Sequence, residues 1–142
     1  MKTKTFFFFL VAFITSVLPV YPQSKTDTSP NRPGEKAILV QAVVCEGVQN
    51  YAPVNPAVVF SISSGKISCF TAFDPVPKTM FILHNWFHMG RMVTRKKLSL
   101  KSPKWSTFSS IQLREMDKGP WFLEIGDLQG KIFKTLRFSI TD

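Results

Sequence analysis

Cysteine, histidine and tyrosine each occur only twice in this sequence, and nine acidic residues stand against eighteen basic ones. Each shortage excludes something. Cys45 and Cys69 have no further Cys, His or Asp at ligand spacing, so they make a poor metal site. His84 and His88 are four apart, but Asn85, Trp86 and Phe87 between them omit the glutamate of a helical zinc-protease motif. On a strand the same pair would lie ~13 Å apart, too far to share one ion. No metal and no cofactor are expected. Tyr21 and Tyr51 come too early for the tyrosine corner of an immunoglobulin domain, and no cysteine follows Trp86 to complete its Cys…Trp…Cys order.

The usual catalytic signatures are missing as well. Ser106, Ser109 and Ser110 stand in no G-x-S-x-G turn. Ser64-Gly65-Lys66 and Gln129-Gly130-Lys131 read as hairpin turns and not as phosphate cradles. A protein without a reaction of its own is the leading expectation. The alternative is a small hydrolase using His84 or His88 with a serine.

Long apolar runs are equally scarce, and the longest opens the chain. Lys2 and Lys4 precede residues 6–20, which carry no charge and are apolar or small. About 15 residues is the length of a secretory leader and short of the ~20 that span a bilayer. Residues 1–24 are therefore expected to be a signal peptide, with Ser24 the best small residue for cleavage and an uncleaved anchor as the alternative. No second run of that length follows, so the mature chain is expected to have no transmembrane span. The expected address is the periplasm or cell envelope, or secretion. Residues 25–36 (KTDTSPNRPGEK) are polar and broken by two prolines and a glycine, a flexible linker. Residues 37–142 make one domain.

Without Lys2 and Lys4 the basic residues number 16 against 9 acidic, about +7. In an exported protein this charge points away from nucleic acid and toward anionic envelope partners: lipid head groups, acidic glycans or acidic proteins. A solvated surface with no partner accounts for it too.

What the domain does have is a series of short apolar segments parted by turn residues. Strands are expected at residues 38–45, 57–61, 66–73, 79–88, 91–100, 105–113, 120–125 and 131–140, with loops at 49–56 and 74–78. No stretch reads as a helix of three turns. The fold class expected is all-β: an antiparallel β-sandwich of about seven to eight strands, immunoglobulin-like in architecture only.

Residues 81–90 (FILHNWFHMG) organise the rest, and the strand at 79–88 is expected to be the central one. Met80, Ile82, His84, Trp86 and His88 share one strand face; Phe81, Leu83, Asn85 and Phe87 share the other. Two readings stand side by side. His84 is a core histidine and Trp86 is packing, or the His84, Trp86 and His88 end is a partly exposed platform for a sugar ring or a protein partner. In the next strand Arg91, Arg95, Lys97 and Lys101 are expected on one face, with Met92, Leu98 and Leu100 on the other. That ladder protects an edge strand or binds an anion. Together with Trp105, the residues His84, Trp86, His88, Arg91, Arg95 and Lys97 form the candidate binding set, and none is assigned as catalytic. Cys45 and Cys69 form a disulfide, worth roughly 3 kcal/mol by loop closure, or stay as two buried thiols.

His84-x-Trp86, Gly90, the basic strand, Lys104-Trp105-Ser106-Thr107 with Ser109, Gly119-x-Trp121 and the closing Gly130…Phe138 resemble the bacterial family called domain of unknown function 2914. Cys45 and Cys69-Phe70-Thr71 are similar to it too, so the resemblance runs over residues 38–140. It implies the domain boundary and an envelope address, and it supplies no catalytic residues. The function expected is an exported binding module for an envelope protein or an anionic glycan. A purely structural tethered module is the remaining class.

Overall fold

The computed structural model describes residues 36–142. The expected leader and all but the last residue of the linker lie outside the described residues. Nine strands follow one another: β1 (Leu39–Gln49), β2 (Ala52–Pro56), β3 (Val59–Ser61), β4 (Lys66–Phe73), β5 (Met80–His88), β6 (Arg91–Leu100), β7 (Trp105–Gln112), β8 (Gly119–Asp127) and β9 (Ile132–Thr141). Single 3-10 turns fill Ile62–Ser64 and Glu115–Asp117. The strands form a four-stranded sheet, β2-β1-β4-β7, and a five-stranded sheet, β3-β9-β8-β5-β6. The fold is an all-β sandwich.

Three features depart from the sequence expectation. The loop expected at 49–56 contains β2, a ninth strand. Pro53 and Pro56 cannot donate to a ladder, but β2 is an edge paired only with β1, where a strand tolerates proline. The expected all-antiparallel pairing is broken once, because β3 runs parallel to β9. The strand around residues 81–90 is also not central: β8 holds that place, and β5 lies one in from the edge strand β6.

The core is built from the alternation. Ile67, Cys69 and Phe73 of β4 face Ile82 and Trp86 of β5 and Trp121, Leu123 and Ile125 of β8 in one cluster. At one end Trp86, Trp121 and Phe60 surround Phe138, with ring centroids 6.0–6.2 Å from it. Such edge and offset contacts suit ring quadrupoles better than a face-to-face sandwich.

Two hairpins depend on left-handed residues. Met89 (φ 51°) and Gly90 (φ 78°) link His88 to its partner Arg91, the two-residue turn whose twist matches antiparallel strands. Asn50 (φ 48°) and Tyr51 (φ 58°) do the same between Gln49 and Ala52. Glycine is the usual second residue of that turn, so Tyr51 holds a conformation a bulky side chain rarely takes.

Candidate functional site

His84 and Trp86 are fully buried. The exposed platform is therefore corrected for these two residues, and the core reading describes them. Their strand face points into the sandwich, where hydroxyls from the opposite sheet meet them. His84 Nδ1 lies 2.8 Å from Ser109 Oγ, and its Nε2 lies 3.3 Å from Thr71 Oγ1. Trp86 Nε1 donates to Ser109 Oγ at 3.1 Å, and Thr71 Oγ1 donates to the Thr107 carbonyl at 3.3 Å. One proton arrangement uses every partner. Trp86 donates to Ser109, Ser109 donates to His84 Nδ1, and His84 Nε2–H donates to Thr71. Among the described residues no buried side-chain nitrogen or oxygen lacks a partner. Burial lowers the His84 pKa to about 4, so the ring is neutral at pH 7.

The other expected residues are dispersed. His88 is half-buried; its ring stacks on Trp121 at 4.5 Å, and Nε2 donates to the Lys118 carbonyl at 2.9 Å. Arg91, Arg95 and Lys97 are exposed on β6, which is indeed an edge strand. They do not share one face. Trp86 opposes Thr94, but the next residue, Phe87, opposes Met92, so Val93 is the extra residue of a β-bulge. A one-residue insertion reverses the alternation. Arg91 therefore pairs on the His88 face, while Arg95 and Lys97 pair with Asn85 and Leu83 on the other. Met92 likewise parts from Leu98 and Leu100. On the outer face Arg95 Nε donates to Asn85 Oδ1 at 2.8 Å, and Lys97 Nζ lies 4.2 Å from the Phe81 ring centre.

The disulfide expectation is corrected too: Cys45 and Cys69 are free, buried thiols. Cys45 opposes Ser68, and Cys69 opposes Val44. Opposed residues share a face, so the two cysteines point to opposite sides of one sheet. Cys69 joins the core, while Cys45 Sγ donates to the Ser68 carbonyl at 3.6 Å. Burial pushes both thiols up, which keeps them protonated and unreactive.

Of the candidate set, Trp105 opens onto a hollow. A cavity of about 380 Å³ is lined by Val40, Tyr51, Ala72, Phe73, Asp74, Lys104, Trp105 and Ser106. A second, of about 160 Å³, shares Tyr51, Trp105 and Ser106 with it and adds Val48, Phe70, Thr107 and Phe108. The shared residues join the two into one groove. Tyr51 is 86% exposed and Trp105 37%. Lys101 Nζ stands 5.2 Å from the Trp105 ring centre, and Lys104 forms part of the wall. The groove offers flat apolar rings, two serine and threonine hydroxyls, two lysines and one carboxylate, Asp74.

Sequence reasoning missed Tyr51. The signal was the dipeptide Asn50-Tyr51 between two strand segments, but the prolines after it had removed the second strand from consideration. Among the described residues no group of three or more His, Cys, Asp or Glu could hold a metal ion.

The model of the family described as a protein of unknown function, DUF2914, matches residues 80–140. That span takes in β5 through most of β9, with all three tryptophans. It leaves β1–β4, and with them Cys45, Tyr51 and Cys69, outside the match, which is narrower than the resemblance over residues 38–140. No curated protein matches the chain. Over residues 80–140 the chain is similar to the DUF2914 family, whose function is not established.

Proposed function

We propose that this is an exported binding protein of the periplasm or cell envelope that takes an anionic glycan into the Tyr51–Trp105 groove and performs no reaction on it. One observation carries the reading: two exposed aromatic rings wall a groove that two lysines border. Aromatic faces stack on the apolar faces of sugar rings, and lysines pair with uronate or sulfate groups. The hydroxyls of Ser106 and Thr107 suit a hydroxylated ligand. The leader-like residues 1–24 support the address, and the basic excess supports an anionic partner.

The pairing of Ser109 Oγ with His84 Nδ1 at 2.8 Å is the feature that favours the hydrolase reading. Against it, both residues are buried and Ser109 Oγ already accepts from Trp86. A nucleophile needs access to its substrate as well as a base.

Titration calorimetry of the full chain with oligogalacturonate, and with a neutral oligosaccharide of equal length, tests the proposal. Binding of the acidic sugar only, weakened about tenfold or more by Trp105→Ala, is the expected result. Equal binding of both sugars, none of either, or binding unaffected by Trp105→Ala overturns it. Capture of an envelope protein by this groove instead would replace the glycan.

A further inference from the structure

We propose that the β5–β6 hairpin end of the domain is a docking surface for an anionic lipid bilayer, with Met89, Met92, Val93 and Met116 entering the interface and Arg91, Arg95 and Lys96 resting at the head groups. The inference does not depend on the groove or its ligand.

Methionine is normally a buried residue. Here Met89 is 64%, Met92 47% and Met116 71% exposed, and Val93 is exposed beside them. All lie at one end of the described domain. Met89 forms the hairpin tip, and the bulge at Val93 turns Met92 and Val93 outward just behind it. The 3-10 turn carrying Met116 is tied to the same tip, because His88 Nε2 donates to the Lys118 carbonyl and Met89 N to the Pro120 carbonyl.

Charge selects the occupant. Arg91, Arg95, Lys96 and Lys97 are all exposed on β6, and none takes part in an ion pair among the described residues. The acids at this end are mostly matched: Asp117 by Arg114, while Glu115 and Asp142 share Lys118, which leaves one negative charge against the four cations of β6. Glu124 opposes Asn85 on the strand beyond, and Asn85 itself holds Arg95. The uncompensated charge is thus positive and encircles an apolar tip. That combination is how a protein lies on an anionic membrane: apolar side chains enter the acyl boundary while cations pair with head groups. A protein groove or an acidic helix would call for a concave apolar seat, and the tip is convex. The bulge contributes directly, since it places Arg91 and Arg95 on opposite sides of the strand and so around the tip.

Geometry adds a consequence. β6 has ten residues and spans ~33 Å, and Trp105 follows its far end. A domain standing on the hairpin would hold the groove well clear of the bilayer.

Amide hydrogen exchange of the full chain, with vesicles of phosphatidylglycerol and of phosphatidylcholine, reads the contact locally and separately from any effect of residues 1–35. Residues 88–96 should exchange more slowly with phosphatidylglycerol and not with phosphatidylcholine. Arg95→Glu/Lys96→Glu should weaken the effect about tenfold or more in lipid concentration, and 0.5 M salt should do the same. Met89→Ser/Met92→Ser should remove it. Exchange without lipid confirms that each variant is folded. Unchanged exchange at residues 88–96, slowing by both lipids alike, slowing that survives the charge reversal, or slowing confined to residues 105–112 would each overturn the proposal.

Discussion

The seam around Trp86 and the groove around Trp105 are made of the same kinds of residue and have opposite characters. Each sets a tryptophan beside a serine hydroxyl, a second polar side chain and a nitrogen-bearing side chain. In the seam every donor is spent: Trp86 on Ser109, Ser109 on His84, His84 on Thr71. In the groove the Trp105 ring is 37% exposed with the Lys101 ammonium beside it, and Tyr51 projects into solvent. Residue identity does not distinguish a site from packing. Contact area and hydrogen-bonding capacity left unused do.

Replacing one tryptophan at a time tests the contrast most strongly. Trp86→Ala should cost about 3–5 kcal/mol in urea unfolding, as a cavity opens and Ser109 loses a donor. Trp105→Ala should cost about 1 kcal/mol or less and act on glycan binding instead. Similar losses from both would erase the distinction.

The seam should also show itself as a pH dependence. The folded His84 pKa is about 4, below its ordinary 6.5 in the unfolded chain. Between these values the unfolded chain binds more protons, so stability rises with pH. The contribution is complete above pH 6.5 and is lost as pH falls through 4, about 3 kcal/mol in all. Urea midpoints of the parent and His84→Asn across pH 4–7 isolate it. Parallel curves would mean that the imidazole titrates freely.

Tyr51→Gly sharpens the groove side of the comparison. Glycine accepts the left-handed turn without the bulky side chain's cost, so the variant should gain about 1 kcal/mol in stability. It should bind acidic sugar about tenfold more weakly. Stability and binding moving together would show that Tyr51 serves the fold. The smallest effect concerns Cys45 and Cys69: a reductant should leave Tm unchanged, where loss of a disulfide would lower stability by roughly 3 kcal/mol.

Sequence pattern reached most of the fold because strand faces announce themselves. The bounds of β4 and β6 could be read directly from alternation and flanking turns. The misreadings share a cause, since each turned on a relation between strands. Pro53 and Pro56 exclude a ladder only if the strand has two neighbours. Val93 looks like any alternating residue until its register with Trp86 and Phe87 is known. Cys45 and Cys69 read as a pair until Ser68 takes the place opposite Cys45. Trp105 could be singled out by its type and its basic neighbours, whereas Tyr51 acquires its role from a turn whose second strand is paired by β1.

The strand order also sets a timetable. Val59 of β3 pairs with Ser139 of β9, eighty positions later, and β3 has no other hydrogen-bonded neighbour. A chain emerging N-terminus first from a ribosome or a secretion channel thus presents β3 long before its mate exists. Until residues 132–141 arrive, β8 lacks one flank and Trp121 lacks the Phe138 ring that stacks on it. The C-terminal strand is the latch of the domain, and a chain stopped at residue 131 would be a sticky intermediate with one sheet left open.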